Sequence, residues 1–264
     1  MTASQGKAVL LLQFTDPHLL PSEADELWGL ATSQSLQQVV AMVRSDLVRR
    51  GFSADLLVAS GDIAHGGSAA GYQRFRALTQ GLAGQQAWVP GNHDDYPQMR
   101  SVAPELVVPQ LEAGPWRVLL VNSQVPGQVY GGLDDAAVEQ LKWQLSTPGD
   151  CYFLVVMHHP PFAVGSPGMD AIGLKQADRL WQLLDAEPRV RGVLCGHVHQ
   201  GYQGRRGRIQ LLASPSTGVQ FTPGAKQFAL SREAPGYRWL LLRSDGGIDT
   251  GISRLADFHF EPAA

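Results

Sequence analysis

Five short polar blocks rich in Asp, Asn and His each follow directly after a short apolar run of the chain. The apolar runs are rich in Val and Leu, which is typical of buried β-strands. In open α/β sheets, ligands bind beyond the carboxyl ends of the strands. The blocks are Asp16-Pro17-His18, Gly61-Asp62, Gly91-Asn92-His93-Asp94, His158-His159-Pro160-Pro161 and Gly196-His197-Val198-His199. We therefore expect these side chains to meet at one rim and to bind metal.

Taken one at a time, the blocks are weak signals. A loop Asp beside a surface His explains Asp16 and His18 equally well, and Asp62 alone could cap a helix. A lone buried His is most often a core residue with satisfied hydrogen bonds. Two His at alternate positions after a strand, as at His197 and His199, rarely serve packing alone. The ordered set of five blocks favours the metal site.

The number of potential ligands indicates two metals. Seven side chains exceed what one four-coordinate metal takes from a protein, but they suit two metals that share Asp62 as a bridge. Imidazole and oxygen ligands without thiolate suit manganese, iron or zinc. Two such metals can hold the attacking and leaving oxygens of a phosphoryl displacement, which predicts hydrolysis of a phosphate ester. The seven are Asp16, His18, Asp62, Asn92, His158, His197 and His199.

Length and composition exclude several classes of protein. The 264 residues, 44% of them hydrophobic, predict one domain spanning 1–264 with a well-buried core. The 21 Lys and Arg against 24 Asp and Glu give no basic surface for nucleic acid. The N-terminal Met1–Lys7 is polar, and no apolar stretch reaches the roughly 20 residues of a membrane span. Two cysteines make no disulfide framework. We expect a cytoplasmic protein with neither nucleic acid nor membrane as partner.

The pattern of elements predicts an α/β fold, which some schemes would class as α+β. Apolar strands alternate with helices up to about residue 200, and this part carries all the polar blocks. The helices are predicted at Ser33–Arg50, Tyr72–Leu82, Asp134–Leu145 and Lys175–Ala186. Turn residues then separate consecutive short strands in 201–264, which predicts mainly antiparallel strands that complete a second sheet.

The order Asp-x-His, Gly-Asp, Gly-Asn-His-Asp, His, Gly-His-x-His resembles the calcineurin-like metallophosphoesterase superfamily from Phe14 to His199. The resemblance implies a four-layer αββα sandwich of two mixed sheets flanked by helices. It also implies two sets of metal ligands that share one Asp: Asp16, His18, Asp62 and His199 for one metal, and Asp62, Asn92, His158 and His197 for the other. Within the His158-His159 pair, the ligand is expected to be His158, and His159 is the alternative.

The chain further resembles one branch, the bacterial class III cyclic-AMP phosphodiesterases. This resemblance rests on Leu194–Gln200, Ser214–Phe221, Ala234–Arg238 and Arg254–Asp257. It implies hydrolysis of 3',5'-cyclic AMP to 5'-AMP, and thereby a lower cellular cyclic-AMP level. The implied cofactors are two divalent or mixed-valence metal ions, iron or manganese or both, with zinc possible. A monomer and a homodimer are both consistent with the sequence.

The same resemblance suggests roles for individual residues. Asp62 and His93 would be catalytic, with His93 over the phosphate to stabilise charge or to protonate the leaving oxygen. The alternative for His93 is a side chain that orients its neighbours, held by Asp62 or Asp94. Trp28, Tyr96, Phe162 and Phe221 are candidates for a clamp around the base, and the core explains each equally well. The predicted substrate contacts are His18, Asn92, His93, His199, Ser216 and Thr217, of which Ser216 and Thr217 could equally be turn formers.

Other functions are consistent with parts of this pattern. A phosphodiesterase or phosphomonoesterase of broader specificity, with cyclic AMP as a secondary substrate, would share the metal centre. The walls Leu19–Leu30, Asp95–Met99 and Ser214–Phe221 would then decide the specificity. A protein-binding scaffold would be expected to lose ligands, and none is missing. A DNA nuclease would need a basic path for its substrate, of which the charge balance gives no sign.

Overall fold

The computed structural model describes residues 7–261, so the polar residues 1–6 and the last three residues, 262–264, lie outside the described chain. The strands are β1 (Val9–Phe14), β2 (Glu26–Leu27), β3 (Leu30–Ala31), β4 (Ala54–Ala59), β5 (Ala83–Trp88), β6 (Gln110–Ala113), β7 (Trp116–Val121), β8 (Tyr152–Met157), β9 (Val190–Cys195), β10 (Tyr202–Arg206), β11 (Ile209–Ala213), β12 (Gln220–Phe221), β13 (Leu230–Ser231), β14 (Gly236–Leu242) and β15 (Ile248–Arg254). The helices are α1 (Thr32–Arg50), α2 (Ala69–Thr79), α3 (Tyr96–Val102), α4 (Asp135–Leu145), α5 (Pro167–Asp170) and α6 (Asp178–Ala186), with a 3-10 turn at His65–Gly67.

Two mixed sheets form the middle of the protein. The first sheet has the strand order β15-β14-β1-β4-β5. Its strands β1, β4 and β5 are parallel, whereas β14 is antiparallel to β1 and to β15. The second sheet has the order β10-β11-β9-β8-β7-β6, with parallel central strands and antiparallel edges. Each sheet therefore contains three or more neighbouring parallel strands, whose carboxyl ends can carry a ligand site.

The side chains of these strands alternate between two apolar layers. Leu11 and Leu56 of the first sheet and Val156 and Leu194 of the second are fully buried between the sheets. The other face of the first sheet packs against α1 and α2, and that of the second packs against α4 and α6. The predicted αββα sandwich of two mixed sheets flanked by helices is confirmed.

Helix α1 shows how the sequence determines this packing. Leu36, Val39 and Val43 recur at helical spacing and are fully buried against the first sheet. The helix ends where Gly51 takes a left-handed conformation with φ 64° and its N–H reaches back to the carbonyls of the last turn. The sequence offers Ser33 or Ser35 as a cap, but the N-cap is Ala31, and the Ser35 hydroxyl donates instead to the Thr217 carbonyl at 2.7 Å. The helix is thereby tied to the loop that precedes β12.

The C-terminal strands differ from the prediction. The structure divides residues 201–264 between the sheets, because β10 and β11 extend the second sheet while β14 and β15 extend the first. Their alternating pattern marks them as strands, but the pattern does not identify a partner. The sequence predicts a short strand at Ala87–Val89, whereas β5 begins at Ala83, because the polar Gln85 and Gln86 are tolerated on an edge strand. The hairpin of β2 and β3 and helix α3 were not predicted.

Two further observations concern the described residues 7–261. Within this range no helix combines the length and the apolar character that crossing a membrane requires. Cys151 and Cys195 are both buried and unpaired. Burial raises the pKa of the Cys195 thiol well above its usual value, so this cysteine is an inert core residue.

Candidate metal centre

The five polar blocks follow the carboxyl ends of β1, β4 and β5 in the first sheet and of β8 and β9 in the second. Backbone hydrogen bonds hold the blocks against one another. The N–H of Asp16 donates to the Gly61 carbonyl at 3.0 Å, and the N–H of Gly196 donates to the His158 carbonyl at 3.1 Å. The N–H of His197 also donates to the Asp16 carboxylate, with 3.0 Å to Oδ2. The two sheets thus share a single cluster of polar side chains.

One part of the cluster contains Asp16, His18, Asp62 and His199. His18 Nε2 lies 3.2 Å from His199 Nε2 and 3.6 Å from Asp62 Oδ2. His199 Nε2 lies 3.3 Å from Asp16 Oδ1. All four residues are buried. These four side chains therefore converge on a common point with nitrogen and oxygen atoms.

The other part contains Asp62, Asn92, His158 and His197. His158 Nε2 lies 3.3 Å from Asp62 Oδ2 and 3.3 Å from Asn92 Oδ1. The His197 and His158 rings pack edge to face, with 5.0 Å between their centroids. Asp62 Oδ2 is thus close to His18 in the first part and to His158 in the second, as a shared ligand must be.

Backbone carbonyls orient the imidazole rings. His158 Nδ1 lies 2.8 Å from the Ser60 carbonyl, and His199 Nδ1 lies 2.6 Å from the Val219 carbonyl. His197 uses Nε2 instead, which lies 3.1 Å from the Ile172 carbonyl. Only a protonated nitrogen can donate to a carbonyl, so the other nitrogen of each neutral ring carries a lone pair. Metal-binding histidines are usually oriented in this way.

The ring nitrogens and side-chain oxygens of the cluster are better suited to binding a metal cation than to hydrogen bonding with one another. When the His158 ring is neutral, the lone pair of its Nε2 faces the oxygens of Asp62 and Asn92, which also carry lone pairs. His18 Nε2 and His199 Nε2 likewise face each other at 3.2 Å. Buried acceptors without donors are unfavourable, and a divalent cation satisfies them together. Groups of Asp and His able to hold an ion include Asp16 with His18 and His199, and Asp16 with Asp62 and His158.

The pKa of His158 is raised whereas the pKa values of His18 and His197 are lowered, so the rings of the cluster do not share one charge state. Burial alone would lower the pKa of His158, but the Asp62 and Asp16 carboxylates raise it to about 9. Burial alone would raise the pKa of Asp62, but His158 outweighs it and holds that pKa well below its usual value. Burial lowers the pKa of His197 to about 3, which leaves this ring neutral and able to bind metal.

The backbone of the cluster adopts uncommon conformations. Left-handed φ angles are uncommon outside glycine, although Asp and His tolerate them better than most residues. Such conformations concentrate at functional sites, where the surrounding structure enforces them. Most of the ligand candidates have one: Asp16 (53°), His18 (47°), Asp62 (51°), His197 (70°) and His199 (47°).

Two glycines of the motifs allow the blocks to pack closely. A Cβ atom on Gly91 would lie 2.8 Å from Cγ of Asp62, and one on Gly196 would lie 2.8 Å from Oδ2 of Asp16. Real Cβ atoms essentially never approach another heavy atom so closely. Only glycine at these positions lets the carboxylates occupy their places in the cluster.

His93 lies at the edge of the cluster and is partly exposed. Its backbone N–H, not its ring, donates to Asp62 Oδ1 at 2.8 Å. Its ring meets the His18 ring edge-on at 4.9 Å and stacks on His65 at 4.8 Å. His93 therefore stands beside the ligand candidates with a ring that substrate can reach.

Asp94 has a structural role that the sequence analysis missed. Its Oδ2 accepts hydrogen bonds from the backbone N–H groups of Ile63 and Gly91, and its Oδ1 accepts from the Ala64 N–H and the Tyr72 hydroxyl. The carboxylate thus joins the loop after β4 to the loop after β5. The only signal in the sequence was the position of Asp94 in the Gly-Asn-His-Asp block.

His159, the alternative ligand, lies close enough to His158 and His197 for the three to hold an ion, but it also has a contact outside the cluster. Its Nδ1 lies 2.9 Å from the Ser123 hydroxyl. Its ring lies beside His197 at 4.7 Å, and its Nε2 is buried without a hydrogen-bond partner among the described residues. His158, rather than His159, lies between Asp62 and Asn92.

Ser216 and Thr217 are less accessible than the sequence analysis expected. Both are fully buried. The Ser216 hydroxyl donates to the Asp16 carbonyl at 2.6 Å, and the Thr217 N–H donates to the Thr15 carbonyl at 3.0 Å. These residues support the loop that carries Asp16, and the structure leaves neither hydroxyl open to substrate.

Known proteins resemble this chain over nearly its whole length. The family model described as calcineurin-like phosphoesterase matches residues 9–201. A 3',5'-cyclic adenosine monophosphate phosphodiesterase CpdA from Pseudomonas aeruginosa is 42% identical, over 98% of this chain and 95% of that protein. The protein of the same name from Escherichia coli K12 is 37% identical, over 96% of this chain and 92% of that protein.

Solved structures share the fold at low sequence identity. A dimetal phosphatase from Danio rerio matches with a TM-score of 0.65 and 13% identity, over 92% of this chain and 98% of that one. A purple acid phosphatase from yellow lupin seeds matches with a TM-score of 0.58 and 14% identity, over 94% of this chain and 54% of that one. Together with the match to the family model and the near full-length relatives, these findings establish that the chain belongs to the calcineurin-like phosphoesterase family.

Proposed function

We propose that this protein is a dimetal phosphodiesterase that hydrolyses 3',5'-cyclic AMP to 5'-AMP and so lowers cellular cyclic AMP. The convergence of Asp16, His18, Asp62, His158 and His199 at the junction of the two sheets carries the proposal. Relatives that are 37% and 42% identical over nearly their full length are named for this activity, which supports cyclic AMP as the substrate.

The distances support one assignment of ligands to two metals. Asp16, His18, Asp62 and His199 would hold one ion, and Asp62, Asn92, His158 and His197 would hold the other. The ligand chemistry suits iron, manganese or a mixture, and zinc is also compatible. When bound, such ions stabilise charge on the phosphate as Lewis acids and lower the pKa of a water. The carbonyls of Ser60 and Val219 would keep the rings of His158 and His199 oriented for binding.

His93 would assist the departure of the 3' oxygen. Water adds to phosphorus on the side opposite that oxygen, and the bond from phosphorus to O3' breaks. The leaving oxygen needs a proton, which His93 can donate because its ring lies beside His18 and remains accessible. The contact of its backbone N–H with Asp62 would fix its position relative to the ligands. Asn92 would contribute its side-chain oxygen as a ligand.

Turnover by the protein loaded with manganese or iron tests the substrate. We expect kcat/KM for cyclic AMP to exceed clearly that for bis(p-nitrophenyl) phosphate, with cyclic GMP measured alongside. Efficient hydrolysis of the aryl diester with negligible turnover of cyclic AMP would contradict the proposal. That result would favour the broader phosphodiesterase, for which cyclic AMP is secondary.

Two substitutions separate the roles of Asp62 and His93. Asp62→Ala should abolish both turnover and metal loading, because it removes the shared ligand. His93→Ala should lower kcat by about 100-fold or more while the metal content stays the same. His259→Ala is a suitable control because His259 is exposed in the segment after β15. Loss of metal from His93→Ala would instead make His93 a ligand, contrary to the proposal.

We also propose that the enzyme acts in the cytoplasm, as a monomer or homodimer, without nucleic acid or membrane as partner. The buried, unpaired Cys151 and Cys195 are consistent with a reducing compartment. Cell fractionation and light scattering of the purified protein test the location and the oligomeric state. Recovery of the protein in the membrane fraction would contradict the proposed location.

A further inference from the structure

Three aromatic side chains form a wall beside the candidate metal centre. Phe221 stacks face to face on the ring of His199, with 3.9 Å between centroids and 9° between planes. Phe228 lies 4.7 Å from Phe221, and Trp28 lies 5.3 Å from Phe228 and 6.1 Å from Phe221. Since His199 is a proposed ligand, this aromatic wall (Trp28, Phe221 and Phe228) begins one ring away from the metals.

Packing does not account for the position of Phe228. Phe221 is 7% exposed and belongs to a small core cluster, whereas Phe228 is 54% exposed. The loop that carries Phe228 is nevertheless fixed at its base. The N–H of Thr222 donates to the Ala229 carbonyl at 2.8 Å, and the N–H of Gly224 donates to the Ser166 hydroxyl at 2.8 Å. A well-anchored loop therefore presents a half-exposed aromatic ring next to the centre.

The backbone of Trp28 points to a function for its side chain. Trp28 and Gly29 form the two-residue turn between β2 and β3, with φ angles of 52° and 86°. Turns with positive φ at both positions favour Asn or Asp followed by Gly. A bulky residue such as Trp is strained in the left-handed region. The strained turn places the Trp28 ring 5.3 Å from Phe228, and strained residues of this kind concentrate at functional sites.

We propose that the aromatic wall binds the base of the cyclic nucleotide, with the base stacked on Phe228 and bordered by Trp28. The inference rests on the proposed phosphodiesterase function. One ribose ring joins the base to the phosphate, so the base must lie just beyond the metal ligands, where the wall stands. Every base offers a π-face, so the wall distinguishes nucleotides from base-free diesters but not adenine from guanine.

The other aromatic candidates have different surroundings. Phe162 stacks on Tyr202 with 5.4 Å between centroids. Tyr96 begins α3 and lies under the guanidinium of Arg100 at 5.8 Å. Phe162 packs against the same small core cluster as Phe221, but neither Phe162 nor Tyr96 stacks on His199 as Phe221 does. This contact favours the wall as the surface for the base.

The test compares three substrates in the metal-loaded enzyme: cyclic AMP, cyclic GMP and the 3',5'-cyclic phosphate of 1-deoxyribose, which lacks a base. Phe228→Leu keeps an apolar side chain but removes the aromatic face. We expect this substitution to raise KM about tenfold for both cyclic nucleotides and to change kcat little. For the base-free diester, both KM and kcat should stay the same. Phe52→Leu is a matched control, because Phe52 follows α1 and is 58% exposed.

Trp28→Asn provides a second variant whose turn should remain intact. The Asn-Gly pair favours the turn between β2 and β3 more strongly than Trp-Gly does, so the hairpin should be retained. We expect KM for both cyclic nucleotides to rise while the thermal midpoint stays the same or increases. Titration with 5'-AMP and with inorganic phosphate adds a binding measurement, and only the affinity for 5'-AMP should fall in the two variants.

The possible results separate the two proposals. If wild-type protein hydrolyses cyclic AMP and Phe228→Leu leaves its KM unchanged, the aromatic wall is refuted and the proposed function stands. An equal loss of kcat/KM on all three substrates would also refute the proposed role of the aromatic wall, because it would show damage to the metal centre itself. If wild-type protein hydrolyses the base-free diester but not cyclic AMP, the proposed function fails.

Discussion

Asp94 offers a quantitative test of how the loops of the candidate centre are held. Its buried carboxylate accepts four hydrogen bonds. Oδ2 accepts from the N–H groups of Gly91 at 2.8 Å and Ile63 at 3.2 Å. Oδ1 accepts from the Ala64 N–H and the Tyr72 hydroxyl, each at 3.0 Å. Asp94→Asn keeps the size of the side chain but replaces one acceptor oxygen with an amide donor.

The least costly orientation of Asn determines the expected loss. If the amide group replaces Oδ1, the Tyr72 hydroxyl can rotate and accept from it, so that only the Ala64 N–H loses its partner. A buried donor without a partner costs roughly 1–3 kcal/mol. Because the pKa of Asp94 is raised, the folded state favours the neutral acid, and the loss of charge adds no further cost. We therefore expect Asp94→Asn to lower the free energy of unfolding by about 2 kcal/mol at a pH where Asp94 is neutral.

Urea unfolding of the metal-free protein measures this loss. Burial and the nearby Asp62 carboxylate raise the pKa of Asp94 to about 7, so ionisation of Asp94 costs the folded state stability as the pH rises toward that value. The measurement therefore belongs at pH 5, and the loss caused by Asp94→Asn should be smaller at pH 8.5. Asp95→Asn is the matched control. Asp95 caps α3 by accepting from the Gln98 N–H at 2.8 Å, and Asn caps helices equally well. If Asp94→Asn loses no more stability than Asp95→Asn, the reasoning is refuted.

The same substitution should also weaken metal binding. Asp94 connects the loop of Asp62 to the loop of Asn92, so its loss would let these two ligand candidates move apart. Residues that support metal ligands indirectly typically contribute a factor of about 10–100 to affinity. Calorimetric titration with manganese should give a Kd about tenfold higher for Asp94→Asn. An unchanged Kd would show that the ligands are held by other contacts.

Three further predictions concern the cluster and its support. Gly91→Ala should reduce manganese affinity, measured by titration, because its Cβ would collide with the Asp62 carboxylate. Saturation with manganese at about 100 times Kd should raise the free energy of unfolding by about 2.7 kcal/mol per site, which EDTA should reverse. Arg238→Met should lower that free energy by about 2 kcal/mol in urea unfolding, because buried Arg238 donates to the Ala213 carbonyl at 2.8 Å. Arg243→Met, on an exposed residue, should leave the midpoint unchanged.

The central strands and the set of ligand candidates could be predicted from the sequence alone. Strands such as β8 and β9 are short apolar runs, and the polar residue after each run marks where the strand ends. Side chains at the carboxyl ends of parallel strands must meet at one rim, so the convergence of His158 with Asp62 followed from the order of the elements. These inferences depend on local patterns that the chain itself displays.

Contacts between segments that are distant in the chain could not be predicted from the sequence. The pairing of β14 with β1 depends on which sheet edge is open, which alternation does not reveal. The role of Asp94 depends on the backbone N–H groups of a loop some 30 residues earlier in the chain. The position of Phe228 beside Trp28 depends on the loop before β13, in a part of the chain where the sequence predicts short strands. Such positions become informative only when the neighbouring loops are known.

The described contacts indicate that the protein, rather than the metals, sets the positions of the ligand candidates. The rings of His158 and His199 are held by carbonyls of their own chain, and Asp16 accepts from the His197 N–H. Asp62 and most of the other candidates adopt left-handed conformations, which a folded chain keeps only where the surrounding structure enforces them. Ions that bind to an ordered site lose little affinity to the ordering of loops. A zinc finger, in contrast, folds only when its metal binds. We therefore expect the fold to persist without metal, while the ions determine whether the centre is active.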